Sequence, residues 1–84
     1  MNAEQRVIEK THRIASAIEA CPLARQARQR AFEAIQAGDY DGTMRYAGEA
    51  AAALLAANPG LASATDIGMV LGAQVFAMTE PLRN

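Results

Sequence analysis

Along the first quarter of the chain Val7, Thr11, Ile14, Ile18 and Cys21 recur at alternating steps of four and three. That spacing draws one stripe along a helix, widened by Ile8 and Ala15, while Glu9, Arg13, Ser16 and Glu19 cover the opposite face. Asn2 stands just before the stripe with Gln5 three residues on, the Asn/Gln form of a capping box. The pattern predicts a first helix over 3–21, stopped by Pro22, which can open the next one because a first helical residue needs no amide hydrogen. A second helix, 23–37, is expected to bury Leu23, Ala24, Ala27, Ala31, Ala34 and Ile35, with Phe32 at the side.

Gly38 falls where a left-handed helix cap belongs, and Asp39 or Asp41 can then cap a third helix over 40–57. Tyr40, Met44, Ala47, Ala51 and Leu54 form its expected stripe, and Asn58-Pro59-Gly60 ends it. The fourth segment, 64–79, follows Ser63 or Thr65 as cap and carries Asp66 in its first turn. From Ile67 to Met78 it has no charge, and apolar side chains point in every direction. A helix of that kind is either central in its fold or shared with a neighbour. Ile67, Val70, Leu71, Val75 and Met78 can fill one side, which leaves Met69, Ala73, Phe76 and Ala77 facing outward. The stretches ASAIEACPLA and AALLAANPGLA share an order of helix, proline, leucine and alanine, as two stacked helical hairpins would. The predicted fold class is all-α, an antiparallel four-helix bundle built from two helical hairpins, in one domain spanning 1–84.

Composition narrows the function classes. Half the chain, 51%, is hydrophobic, which excludes disorder, but much of that is alanine, which buries little area per residue. The net charge of −1 hides a segregation. Residues 1–30 hold Arg6, Lys10, Arg13, Arg25, Arg28 and Arg30 against three glutamates, and residues 31–84 hold two arginines against six acids. The halves are thus +3 and −4. Such asymmetry reads first as ordinary solvated helix faces, and alternatively as a partner site or a means for two copies to attract head to tail. The single Cys21 cannot form an internal disulfide, the first residues lack the pattern of a signal peptide, and the apolar run of helix 4 is too short to span a bilayer. A soluble cytoplasmic protein is expected, with no membrane partner.

Ala31, Gly38-Asp39-Tyr40-Asp41 and Ala50, with Asn58-Pro59 closing the stretch 28–59, give this part of the chain a resemblance to a single tetratricopeptide repeat. Ala27 stands where that repeat carries an aromatic residue, and Thr43 where it carries the alanine after the turn. The resemblance implies a helix–turn–helix hairpin and a protein-binding role. The same turn is similar to the second and third helices of HEPN-type domains, but their catalytic Arg…His motif has no counterpart, because the only histidine is His12.

No catalytic, cofactor or metal constellation can be assembled. His12 and Cys21 lie nine residues apart, two and a half helical turns, on roughly opposite faces, so they can neither share a metal nor act as a nucleophile–base pair. Asp39 and Asp41 read as caps, and Arg45 and Glu49 as a surface pair. Gly68 and Gly72 make a GxxxG spacing, echoed by Ala47, Gly48, Ala51 and Ala52 on helix 3, a flat track on which two helix backbones can approach closely. A non-enzymatic protein-binding or regulatory module is expected, homodimeric through Gly68, Met69, Gly72, Ala73 and Phe76 of helix 4. The alternative is a small inhibitor or accessory factor. Its basic face (Arg6, Lys10, Arg13, Arg25, Arg28 and Arg30) would engage nucleic acid or block a machine that handles it, although no aromatic residue is interleaved for stacking.

Overall fold

The structure is a computed structural model that describes residues 2–79. It contains four helices and, among the described residues, no strand: α1 (Ala3–Glu19), α2 (Pro22–Gln36), α3 (Tyr40–Ala57) and α4 (Ala64–Thr79). The all-α class and the helical bundle follow the sequence pattern, and so do the caps. Asn2 and Gln5 bond reciprocally, the Gln5 amide donating to Asn2 Oδ1 at 2.8 Å and the Asn2 amide to Gln5 Oε1 at 3.3 Å. At the end of α2, Gly38 takes φ 75°. The Gly38 amide donates to the Ile35 carbonyl at 3.1 Å and the Asp39 amide to the Ala34 carbonyl at 2.9 Å, a complete Schellman closure. Asp39, rather than Asp41, then caps α3 by accepting the Gly42 amide at 2.9 Å. Ser63 plays the same part for α4, accepting the Asp66 amide at 3.1 Å.

The corner between α1 and α2 is tighter than expected. α1 ends at Glu19, and Cys21 stands outside both helices in extended conformation, buried, with Pro22 as the first residue of α2. The second proline sits instead inside a loop between α3 and α4, so the two similar stretches of sequence do not build equivalent corners.

α2 and α3 form the most extensive helix pair. α2 buries Ala24, Ala27, Ala31 and Ala34; α3 buries Gly42, Ala50, Ala51 and Leu54. The largest fully buried side chains, Ile14, Ile18, Leu54, Ile67 and Leu71, come from α1, α3 and α4. α1 therefore enters the core through its C-terminal half alone. Every residue from Asn2 to Arg13 is exposed, Val7 and Ile8 at 63% and 62%. The expected stripe is intact as a helix face, but its first half leaves the body as an arm. The radius of gyration, 12.9 Å, is accordingly larger than the ~12 Å of a compact chain of this length. Leu23, Tyr40 and Met44, all expected in the core, are exposed too.

Arg28 holds three helices together. Its side chain is only 18% exposed, and its guanidinium donates to Glu19 on α1 and to Gln74 on α4, both at 2.8 Å. Its Nη1 is thus engaged within the chain, where the sequence suggested a partner-binding residue. The hydrogen bond and charge of Arg28, helped by Arg25, hold the Glu19 carboxyl below its ordinary value.

Two outcomes follow from this architecture. Gly38→Ala places a Cβ in the left-handed region and is expected to destabilise the fold by ~1 kcal/mol or more in denaturant titration. A carboxyl whose pKa is depressed by folding stabilises the fold above its unfolded pKa, and that contribution is lost as pH falls through the folded value. Glu19→Gln is therefore expected to melt below the wild type at pH 7, with the gap in Tm closing as the buffer is brought to pH 3.

Candidate functional site

α4 presents two different faces. Ile67, Leu71 and Val75 are buried, and Val70 and Met78 are half-buried against the body. Met69, Ala73, Phe76 and Ala77 turn outward, as the helical spacing requires, with Met69 69% and Phe76 48% exposed. On α3 the buried face runs through Gly42, Ala50 and Leu54, which rotates Met44 out to 75% exposure.

Between these outward faces lies a groove of about 690 Å³. Its α3 wall is built by Met44, Ala47, Gly48, Ala51, Ala52 and Leu55. Its α4 wall consists of Ala64, Gly68, Met69, Gly72, Val75 and Phe76, and α2 adds Ala31 and Ile35. Among the described residues Thr43 and Thr65 are its only polar lining, and no charged side chain enters it. The volume falls within the range of ligand clefts, but the lining lacks the few convergent polar groups that orient a small polar ligand.

The glycines make the groove. A Cβ added at Gly48, Gly68 or Gly72 would find nothing within 4 Å. The GxxxG spacing of α4 is therefore not used to bring α4 against α3 within the chain; its small residues floor an open track. Interior helical glycine costs about 0.5–1 kcal/mol relative to alanine, so this chain carries three such costs without an internal packing return. Of the residues singled out on helix 4, Gly68, Met69, Gly72 and Phe76 line the groove, whereas Ala73 is exposed beside it. Ala47, Gly48, Ala51 and Ala52, read from the sequence as the matching track on helix 3, line it as well; the sequence reading missed Met44, because it placed that side chain in the core.

Two of the six basic residues singled out in the sequence are engaged within the chain. Lys10 pairs with Asp66 at 3.3 Å, and Arg28 is enclosed as described. Arg6, Arg13, Arg25 and Arg30 are exposed and form no ion pair among the described residues. Arg45 lies over the ring of Tyr46, 5.2 Å from its centroid, instead of pairing with Glu49. Among the described residues no group of three or more His, Cys, Asp or Glu side chains is placed to hold a metal ion, and no helix is long and apolar enough to cross a membrane. No protein-family model matches the chain, and neither does a curated protein or a solved structure.

The open space over the glycines can be tested directly. Gly68→Ala and Gly72→Ala should each raise the stability of the isolated fold by ~0.5–1 kcal/mol, since alanine is the better helix former and meets no obstacle. Chemical denaturation at low micromolar concentration reads this; a loss of stability would mean that the track is closed by contacts within the chain.

Proposed function

We propose that this chain is a non-enzymatic protein-binding module of regulatory type, whose docking surface is the α3–α4 groove and whose partner supplies an apolar helix. The observation that carries this reading is the row of helical glycines facing empty space, flanked by exposed Met44, Met69 and Phe76. Conformational cost accepted at a site that the fold does not fill is characteristic of residues kept for function. The groove has the features that recognition of an amphipathic helix requires. It has small residues along its floor so that backbones can approach, methionines that adapt to the incoming side chains, and an aromatic residue at one end.

The expected homodimer belongs to the same reading, because Gly68, Met69, Gly72 and Phe76 would then lie in the interface. The alternative, a nucleic-acid-directed factor acting through Arg6, Lys10, Arg13, Arg25, Arg28 and Arg30, loses support from the enclosure of Arg28 and the pairing of Lys10.

The test is affinity capture from cells that make the protein, with nuclease-treated extract, comparing the full chain with Met69→Glu and with a double Arg25→Gln, Arg30→Gln variant. Met69 is exposed, so the charge leaves the core intact. Proteins retained by the wild type, untagged copies of the chain included, should be lost with Met69→Glu and kept with the arginine variant. Equal retention by wild type and Met69→Glu would overturn the groove as docking surface. Loss on nuclease treatment, or with the arginine variant alone, would favour the nucleic-acid reading.

A further inference from the structure

We infer that the occupant of the groove is the N-terminal arm of α1, residues 3–13, from a second copy of this chain. The inference rests on the groove being a docking surface and adds what docks there. The molecule leaves two apolar features uncovered, one concave and one convex. The groove is the first. The arm is the second: every residue of it is exposed, and Val7 and Ile8 are both more than half accessible although they lie on the face that Ile14 and Ile18 continue into the core.

The two features agree in length. Residues 3–13 of a helix extend ~15 Å, and the α3 wall from Met44 to Leu55 extends ~16 Å. They agree in charge as well. Arg6 and Arg13, exposed and in no ion pair among the described residues, stand seven residues apart along one flank of Val7, with Lys10, held by Asp66, between them. On the α3 wall Asp41 stands one turn before Met44, and Glu49 adjoins Gly48. The whole chain repeats this complementarity, since the segment bearing the arm is +3 and the segment bearing the groove is −4.

Among the described residues no segment of the chain occupies the groove. Lys10 and Asp66 tie the arm to the start of α4 on the face turned away from Gly68 and Gly72. When each copy gives its arm and receives its partner's, both exposed features of both chains are covered, and the contact closes on a two-fold axis.

The experiment is sedimentation equilibrium on the full-length protein at micromolar concentration, with two single-site variants and their mixture. Val7→Asp disables the arm, and Met69→Glu disables the groove; both positions are exposed, so each variant should keep wild-type circular dichroism and melting. The wild type should be a dimer whose dissociation constant rises several-fold between low and high salt. Each variant alone should associate at least about tenfold more weakly. Mixed together, the intact groove of the first and the intact arm of the second should restore a heterodimer detected by mass. A dimeric Val7→Asp variant, or a mixture that stays monomeric, would overturn the arm as occupant in favour of groove against groove. A monomeric wild type would overturn self-association altogether, while capture that still depends on Met69 would leave the groove as a site for another protein.

Discussion

α2 lies close against α3 because the side chains between them end at Cβ. Ala24, Ala27, Ala31 and Ala34 face a surface built of Gly42, Ala50, Ala51 and Leu54, and the remaining elements are placed by what this pair leaves over. Small side chains permit a short interaxial distance and many dispersion contacts, but they remove little apolar area from water. The larger aliphatic residues therefore do the sealing. Ile14 and Ile18 arrive from α1, Ile67 and Leu71 from α4, and Leu54 joins them within one cluster. Arg28 completes it from the polar side, reaching from α2 to Glu19 and Gln74, so that the three helices that hardly resemble one another in sequence share one half-buried cation. With so few large side chains enclosed, an 84-residue fold of this kind has little core to spare, and surface left apolar on its outside is a conspicuous expense.

Element ends were readable because they depend on residues within three or four positions. Asn2 with Gln5, Gly38 with Asp39, and Ser63 with Asp66 each contain their own hydrogen-bonding logic, and each forms as the local chemistry dictates. Buried faces were less readable, for two different reasons. In α3 alanine occupies so many positions that several stripes are available at nearly equal hydrophobicity, and the fold selects the one with the smallest residues, Gly42 and Ala50, over the one with Tyr40 and Met44. Close packing against the alanines of α2 rewards small partners, a tertiary demand that no window of α3 alone contains. In α1 the stripe itself was right, and only its cover was misjudged. Periodicity states that a face needs a cover; it does not say that the cover belongs to the same body.

Helix 4 separates these two lessons. Its outward set, Met69, Ala73, Phe76 and Ala77, was legible because no charge competes for either face, and the inward set is fixed by the four-residue spacing of Ile67, Leu71 and Val75. The glycines were legible as a track but not as an empty one. Whether a small-residue track serves the chain or something outside it depends on what stands opposite, which only the arrangement of α3 reveals. Here α3 turns Met44 and Gly48 outward and its small residues inward, so the two helices meet along their buried edges and splay at the surface.

The same geometry explains why exposure here is organised and not diffuse. Single apolar residues on a protein surface are ordinary, but in this chain Met44, Met69 and Phe76 border one cleft, and Val7 and Ile8 occupy one arm. Filling the glycine positions with alanine would gain helix stability at once, and the space to accept it is present. That the sequence declines this gain at Gly48, Gly68 and Gly72 together, on facing walls of one groove, ties the local cost to a common use. The partner helix proposed above would recover it through backbone approach and dispersion along the track, with the methionines on the rim adjusting to its side chains at small entropic cost. The groove is thus the part of the molecule in which local propensity and global packing disagree, and in a small fold such disagreement is where function is expected to reside.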